Sequence, residues 1–316
     1  MDHVLSTTKL NVVGVSRSSE YHPNFLPYRF GKELDADRFR FYQMDVNHDM
    51  GSLIQLCDTL RPAVVANFSA QGEVRNSWKH PEQWWQTNTM SVVQLTEALR
   101  QRDYLQRYVT SSTPEVYGAT GLNVKESHTY RPSTPYAASK LGGDLHLTTL
   151  VNRYEFPVVF TRAANVYGRH QQLYRIIPRT VISILLGKTI ELHGRGLTER
   201  AFVHIRDVAE ATWKAVLHGM PGDVFHVSPD GELRTIASVV EMICRKMNVE
   251  FSRQVSLVDE NFGQDSVFSL DSSRARAQLG WIPSVSFEQG VDETVHWITS
   301  QWAFIKEQPH EYIHKI

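Results

Sequence analysis

Apolar, strand-like runs alternate with helix-like runs over the first two thirds of this sequence, and this alternation restricts the possible folds more than any other feature. The strand-like runs are Asn11–Val15, Phe39–Met44, Ala63–Phe68, Tyr108–Ser112 and Val158–Thr161. Between the later runs lie Glu82–Leu99 and Tyr136–Asn152, in which apolar residues recur at helical spacing. Strands that alternate with helices predict an α/β fold built on a doubly wound parallel sheet.

After Gly168 the pattern breaks up into shorter segments. Strand-like runs follow at Thr189–His193, Val224–Val227 and Val267–Leu270, and helix-like runs at Asp207–Leu217, Thr235–Met247 and Phe287–Ser300. We therefore expect a sheet domain in residues 1–168 and a smaller lobe in residues 169–316, with room for segments to be exchanged between them. The polar stretch Ile305–Ile316 is expected to fray.

Composition excludes several classes of partner. Of the 316 residues 41% are hydrophobic and 21% are charged, which suits a globular protein with a full core. A net charge of −1 provides no basic surface for nucleic acid. No apolar run approaches the ~20 residues that span a bilayer, so no membrane is expected. Two isolated cysteines, Cys57 and Cys244, indicate a reducing compartment and a cytoplasmic protein.

Tyr136 and Lys140 lie four residues apart and so share one face of their predicted helix. A phenol normally has a pKa near ~10. A lysine cation beside it favours the phenolate, so we expect Lys140 to lower the pKa of Tyr136 and to make it a base near neutrality. Such a base can remove a proton from a substrate hydroxyl.

A second segment, Ser111-Ser112-Thr113-Pro114-Glu115-Val116-Tyr117-Gly118, follows directly on a strand-like run. It contains a hydroxyl group on Thr113 and a carboxylate on Glu115. Two positions apart on a strand, these side chains would point to the same face and reach one substrate. Tyr-x-x-x-Lys alone is a weak signal, but with this segment about twenty residues upstream it becomes a strong one.

Together these segments resemble the extended short-chain dehydrogenase/reductase family and, within it, the nucleotide-sugar 4,6-dehydratases and epimerases. The resemblance runs from about Asn11 to about Trp297. It includes Arg162-Ala-Ala-Asn165-Val-Tyr-Gly168, Glu199-Arg200-Ala-Phe-Val-His-Ile-Arg-Asp207 and Leu279-Gly280-Trp281. It implies a Rossmann-like domain that binds a nicotinamide dinucleotide, a lobe that binds a nucleotide-diphosphate sugar, and a homodimer formed through the helices at Glu82–Leu99 and Tyr136–Asn152.

The reaction that the resemblance implies is a 4,6-dehydration. Tyr136 takes the C4 hydroxyl proton while hydride leaves C4 for the nicotinamide, and Thr113 forms a hydrogen bond with the same C4 oxygen. Lys140 also holds the nicotinamide ribose. Glu115 removes the C5 proton, water leaves from C6, and hydride returns to C6 to give a 4-keto-6-deoxy sugar. Pro114 leaves the acid for the C6 hydroxyl open, with protonated Glu115 one candidate.

Two other functions stay open. A 4-epimerase would use the same Tyr136 and Lys140 chemistry, with Glu115 idle, and a cofactor-deficient relative would bind its ligand without catalysis. A panel of nucleotide sugars separates the three.

The resemblance also implies further binding residues, some with plainer alternatives. For the cofactor they are Ser16, Arg17, Asp45, Ala70 and Asn88, together with Tyr136 and Lys140. For the substrate they are Asn165, Arg175 and Arg200. Asp45 could instead be a turn former, Asn88 a structural residue and Arg200 a surface arginine. A neutral residue followed by arginine at Ser16-Arg17 slightly favours NADP over NAD. The His310/His314 pair is too isolated to predict a metal site.

One part of the family pattern is missing. The family opens with a strand and a Gly-x-x-Gly-x-x-Gly turn, whereas here Met1–Lys9 resemble the end of the helix that follows that turn, and Gly14 belongs to the second strand. We expect a shortened form of an active enzyme that binds dinucleotide poorly. The central slot of its sheet should be open, or filled by another segment or chain.

Overall fold

The computed structural model describes residues 1–32, 37–118, 121–229, 231–259 and 267–315. The strands are β1 (Val12–Ser16), β2 (Phe39–Gln43), β3 (Val64–Asn67), β4 (Arg107–Ser111), β5 (Gly121–Val124), β6 (Val158–Ala163), β7 (Asn165–Tyr167), β8 (Ile190–His193), β9 (Glu199–His204), β10 (Val224–Val227), β11 (Leu233–Thr235), β12 (Val255–Val258) and β13 (Val267–Leu270).

The α-helices are α1 (Asp2–Thr7), α2 (Met50–Leu60), α3 (Val74–Ser77), α4 (Pro81–Trp85), α5 (Ser91–Leu99), α6 (Pro135–Tyr154), α7 (Ile176–Leu185), α8 (Ile205–His218), α9 (Ile236–Lys246), α10 (Phe251–Gln254), α11 (Ser273–Leu279), α12 (Phe287–Ser300) and α13 (Trp302–Ile305). A π-helical turn, Gln86–Met90, joins α4 to α5, so the predicted helix at Glu82–Leu99 is continuous but locally widened.

A four-stranded sheet, here called the parallel sheet, has the strand order β10–β6–β4–β3, and every pair in it is parallel. Side chains alternate along each strand. Tyr108 and Val158 therefore enter a cluster with α5 and α6, whereas Val109 and Val159 enter a cluster with α8 on the opposite face. Helices on both faces of a parallel sheet confirm the predicted doubly wound α/β architecture.

In the described residues the parallel strands of the first half form two separate sheets. In the described part of the chain β1 pairs with β2 alone, while β3 pairs with β4 alone, so each has one edge without a strand partner. Apolar side chains are exposed at both places: Val13 is 39% exposed, Val15 37% and Phe68, just beyond β3, 59%. The predicted central slot is thus present as a break between β1 and β3.

The second half forms a five-stranded mixed sheet and a two-stranded sheet over its own core. The order β11–β9–β13–β5 makes one sheet, β7 also pairs with β9, and β8 pairs with β12. Helices α7, α9 and α12 pack over this region through residues such as Ile177, Ile243 and Trp297. Strand β10 comes from the second half yet extends the parallel sheet, and β5 comes from the first half yet joins the five-stranded mixed sheet. The division at residue 168 stays a prediction.

In the part of the chain that the structure describes, none of the helices is long and apolar enough to cross a membrane.

Candidate active site

The carboxyl end of β4 carries the first group of candidate catalytic residues. After Ser111 the chain turns, and Thr113 caps a 3₁₀ turn, Pro114–Tyr117, by accepting a hydrogen bond from the Glu115 amide at 3.3 Å. The expectation that Thr113 and Glu115 share a strand face is therefore wrong. Pro114 has no N–H for a strand ladder, and its fixed φ suits the first position of a helical turn.

The start of α6 carries the second group. Thr134 caps this helix by accepting a hydrogen bond from the Ala137 amide at 3.1 Å, and Pro135 occupies its first turn. These two signals start the helix just before Tyr136. A hydrogen bond joins the side chains of Tyr136 and Thr113, and the Glu115 carboxylate lies close enough to act on the phenol electrostatically. Three of the four predicted catalytic side chains therefore meet at one point.

The predicted effect of Lys140 on Tyr136 is wrong in this structure. Burial raises the pKa of Tyr136, the Glu115 carboxylate raises it further, and the Thr113 hydrogen bond and the Arg175 charge only partly oppose them. The Lys140 ammonium group instead donates to the carbonyl oxygen of Ser111 at 2.8 Å. Lys140 is 6% exposed, and burial lowers its pKa. The structure therefore holds Tyr136 as a neutral phenol.

Asn88 lies in the π-helical turn and is 1% exposed. Its Oδ1 accepts from the Gln71 amide at 2.9 Å, while its Nδ2 donates to Ser139 Oγ at 2.9 Å and to the Gln71 carbonyl at 3.1 Å. Asn88 thus ties the segment after β3 to α6. These contacts favour the structural role that was the alternative for Asn88. Ala70, the residue before Gln71, is exposed.

The remaining predicted cofactor residues lie at the carboxyl ends of β1 and β2. Ser16 is the last residue of β1, and Arg17 follows it. Asp45, just after β2, accepts from the Asn47 amide at 2.8 Å and so forms the turn that was its simpler alternative. Arg17 Nη1 donates to the carbonyl oxygen of Lys315 at 3.2 Å.

The segment His310–Lys315 lies across this edge, so the expectation that it frays is wrong. The carbonyl oxygen of Lys315 accepts from both Arg17 and Gln71 Nε2, the latter at 2.8 Å. His314 stacks on the ring of Trp84 at a centroid distance of 5.5 Å and hydrogen-bonds Gln83 at 2.6 Å. One carbonyl oxygen thereby bridges the ends of β1 and β3.

The described residues fit a dinucleotide only in part. Tyr136 and Lys140 suit its nicotinamide end, and Ser16 and Arg17 suit its adenosine end, because they offer hydroxyl and cationic donors. For the pyrophosphate a Rossmann-like site uses the turn and helix that follow a central strand. Among the described residues, no strand is hydrogen-bonded in the space between β1 and β3, and so no such turn lies there.

The predicted substrate residues are spread over the second half. Arg175 directly precedes α7 and is close enough to Tyr136 to lower its pKa, which places this guanidinium at the site. Asn165 begins β7 opposite Phe202 of β9. Arg200, also in β9, donates to the carbonyl oxygen of Glu199 at 2.8 Å.

Each histidine of the isolated His310/His314 pair has a hydrogen-bond partner elsewhere in the protein. Of the isolated histidine pair, His310 hydrogen-bonds the Ile305 carbonyl oxygen at 2.9 Å and His314 stacks on Trp84. Within the described ranges, no group of three or more His, Cys, Asp or Glu side chains could hold a metal ion.

Sequence reasoning missed a buried polar group directly behind Thr113 and Lys140. It comprises Ser112, Asp144, Arg162 and Tyr117, and it links β4, β6 and α6. One signal was available: Asp144 follows Lys140 by four residues and therefore lies on the same helix face.

A parallel, doubly wound sheet with tyrosine, threonine, carboxylate and lysine side chains at its carboxyl edge defines the extended short-chain dehydrogenase/reductase class. Within this class the sequence model of the "GDP-mannose 4,6 dehydratase" family matches residues 3–294, and the chain belongs to that family. The chain is therefore an enzyme of the nucleotide-sugar dehydratase and epimerase group, and several solved structures similar to it contain NAD.

Individual relatives agree with this assignment. A dTDP-glucose 4,6-dehydratase of Xanthomonas campestris pv. campestris is 30% identical over 293 residues, which cover 87% of this chain and 82% of the relative. The crystal structure of DesIV, a dTDP-glucose 4,6-dehydratase from Streptomyces venezuelae with NAD bound, superposes with a TM-score of 0.84 at 27% identity, covering 94% of this chain and 90% of DesIV. A UDP-glucuronic acid 4-epimerase from Bacillus cereus, in complex with UDP-glucuronic acid and NAD, also gives 0.84 at 25% identity, with 94% of each chain covered.

Proposed function

We propose that this chain is a nucleotide-sugar 4,6-dehydratase that converts its substrate into a 4-keto-6-deoxy sugar nucleotide. The observation that carries the proposal is the meeting of Tyr136 with Thr113 and Glu115, because a dehydratase needs a second base besides the tyrosine and an epimerase does not. A bound nicotinamide supplies the reversible hydride chemistry of this class.

Tyr136 receives the proton of the C4 hydroxyl at its phenolic oxygen, and Thr113 orients the same sugar oxygen. The hydrogen bond between the two side chains supports this division, since a substrate hydroxyl placed there can contact both. Because burial and Glu115 raise the pKa of Tyr136, the phenol needs an additional positive charge before it acts as a base near neutrality.

Glu115 removes the C5 proton, which is acidic beside a C4 ketone. The backbone amide of Glu115 donates to Thr113 Oγ1 at 3.3 Å. Thr113 therefore helps to position the Glu115 carboxylate as well as the sugar oxygen. Pro114 has no ionisable side chain, so Glu115, once protonated, is the candidate acid for the departing C6 hydroxyl.

Residues 1–168 bind the dinucleotide and residues 169–316 the nucleotide sugar in this proposal. Arg175 is the best-supported substrate residue, because its charge acts on Tyr136 and a guanidinium can hold two phosphate oxygens at once. Asn165 and Arg200 are assigned the rest of the diphosphate. A nicotinamide dinucleotide is the proposed cofactor, with Arg17 next to Ser16 slightly favouring NADP, although the neighbours named above carry NAD. Paired binding titrations with NAD and NADP decide between them.

A homodimer is proposed through the helices at Glu82–Leu99 and Tyr136–Asn152, which correspond to α4, the π-helical turn, α5 and α6. Exposed apolar side chains lie on these elements: Trp85 is 43% exposed, Met90 45% and Leu145 48%. Within one chain α4 and α6 pack closely, as a Cβ added at Gly142 would lie only 2.9 Å from the ring of Trp85. The absence of a disulfide between the buried Cys57 and Cys244 agrees with a cytoplasmic location.

The test is incubation of the chain with GDP-mannose, dTDP-glucose and UDP-glucose in the presence of saturating NAD or NADP. A 4,6-dehydratase forms a product that has lost one water and absorbs in alkali. An isomer of unchanged mass would instead identify an epimerase. No conversion of any sugar, with the fold intact by circular dichroism, would refute the proposal.

A further inference from the structure

Arg162 is a charged side chain that nothing in the proposed chemistry uses, although it is only 1% exposed. It extends from β6, its guanidinium lies 5.3 Å from the centroid of the Tyr130 ring, and it hydrogen-bonds three elements that carry or adjoin the reacting groups. Nη2 donates to Asp144 Oδ2 at 2.9 Å, Nη1 donates to the Tyr117 oxygen at 2.5 Å, and Nε lies 3.4 Å from Ser112 Oγ. Ser112 Oγ also donates to the same carboxylate oxygen of Asp144.

These partners belong to the elements that carry the reacting groups. Ser112 precedes Thr113 directly, Tyr117 ends the 3₁₀ turn that carries Glu115, and Asp144 lies one turn after Lys140 in α6. A single guanidinium therefore connects the supports of Thr113, Glu115 and Lys140.

We propose that Arg162 and Asp144 are positioning residues, and that their buried ion pair sets where Glu115 and Thr113 lie relative to Tyr136. This rests on the proposed function for its catalytic readout only. The planar guanidinium, with its donors in a fixed fork, holds three partners at set angles. A flexible ammonium on the same strand lacks that geometry.

The network is closed on its far side by a histidine. His226 Nδ1 donates to the carbonyl oxygen of Val124 at 3.1 Å, so its Nε2 is free to accept from the Tyr117 hydroxyl at 2.9 Å. That leaves the Tyr117 oxygen as acceptor for Arg162. Each member has a partner, and a fully satisfied buried network orders its surroundings instead of destabilising them.

The ion pair also affects the charge at the site. Asp144 raises the pKa of Lys140, against the larger effect of burial and the opposing charge of Arg162. Asp144 also contributes to the raised pKa of Tyr136. Tyr136 is further faced by Thr113 and Glu115 from the segment after β4, and by Arg175 from the start of α7. Neutralising Asp144 therefore removes one of two carboxylates that keep Tyr136 protonated.

The test compares Arg162→Lys and Asp144→Asn with the control Arg274→Lys, which alters the Arg274–Asp223 ion pair between α11 and the start of β10. Displacement of the reacting groups should lower kcat by roughly 100-fold, with KM changed by less than about threefold because Arg175 still holds the substrate. In Asp144→Asn the rising limb of the pH profile of kcat should move to lower pH, because one carboxylate that raises the pKa of Tyr136 is removed. The conservative variant Asp144→Glu should recover part of kcat.

A second measurement does not depend on activity. Hydrogen exchange of the amides in residues 112–118 should speed up at least tenfold in Arg162→Lys and stay unchanged in Arg274→Lys, with both chains folded by circular dichroism. Unchanged exchange in this segment would overturn the proposal even in an active enzyme. If the unaltered chain converts no sugar, the proposed function fails, and this exchange measurement alone decides the positioning role.

Discussion

The ammonium group of Lys140 donates to the carbonyl oxygen of Ser111 at 2.8 Å, so this buried cation is held by the end of β4. Its contact fixes the first turns of α6 against the segment that carries Thr113. Tyr136, one turn earlier in α6, is thereby set against the Thr113 hydroxyl. The lysine thus has a structural role in the free chain besides any role toward a ligand.

Glu115→Gln should stop formation of the 4-keto-6-deoxy product but leave oxidation at C4 largely intact, because only the C5 base is lost. Reduced cofactor should then accumulate on mixing with substrate, visible by its near-ultraviolet absorbance. Tyr136→Phe is the matched control and should give no reduced cofactor, since loss of a general base costs roughly 10²–10⁴-fold. Normal turnover by Glu115→Gln would show that another group removes the C5 proton.

The stability of the chain should fall between neutral pH and about pH 4 because of His226. Burial and the nearby Arg162 charge lower the pKa of this histidine to about 4, and it is 0% exposed. Between that value and the ordinary value near ~6.5 the unfolded chain binds the proton more readily, so stability is lost as the pH falls.

The loss attributable to His226 is about 3 kcal/mol in the free energy of unfolding. His226→Gln should flatten this part of the pH dependence, whereas the exposed control His218→Gln should leave it as it is. Urea unfolding curves measured at several pH values provide the check. Equal pH dependence in all three chains would contradict the assignment.

Dinucleotide affinity should rise when the chain is ended at Pro309. The Lys315 carbonyl oxygen takes a hydrogen bond from Arg17 and another from Gln71, and both donors then become available. With about 0.5–1.5 kcal/mol per hydrogen bond, a roughly tenfold gain is expected by fluorescence titration. Lys315→Ala keeps the backbone carbonyl and should bind like the unaltered chain. Weaker binding after shortening would mean that the segment supports the site.

Leu145→Glu should weaken self-association, because a carboxylate would be buried without a partner between two copies of α6. Leu217→Glu is the matched control: this leucine is similarly exposed, at 54% against 48%, but lies on α8 at the opposite face of the sheet. Sedimentation at micromolar concentration should show a dimer for the control and a monomer for Leu145→Glu. Monomers in both, and in the unaltered chain, would rule out the proposed interface.

The sheet, its helices and the residues that meet at Tyr136 were predictable from sequence, since they follow from periodic patterns and from motifs that carry their own spacing. The break between β1 and β3 was predictable in the same way, because the given sequence has no match to the strand and glycine turn with which the family pattern opens. Three things were not. Pro114 converts a strand into a 3₁₀ turn, burial outweighs the lysine in setting the Tyr136 pKa, and His310–Lys315 finds partners distant in sequence. The last two depend on tertiary contacts that local sequence does not encode, whereas the turn follows from the chemistry of Pro114 itself.

The most direct test of the central claim follows one atom through the reaction. The substrate that the panel identifies is prepared with deuterium at C4 and converted by the unaltered chain, with Tyr136→Phe as the background. A 4,6-dehydratase that uses Tyr136 at C4 and Glu115 at C5 should yield a product with the deuterium at C6. Deuterium returned to C4 with the C4 configuration inverted would contradict the account and identify an epimerase.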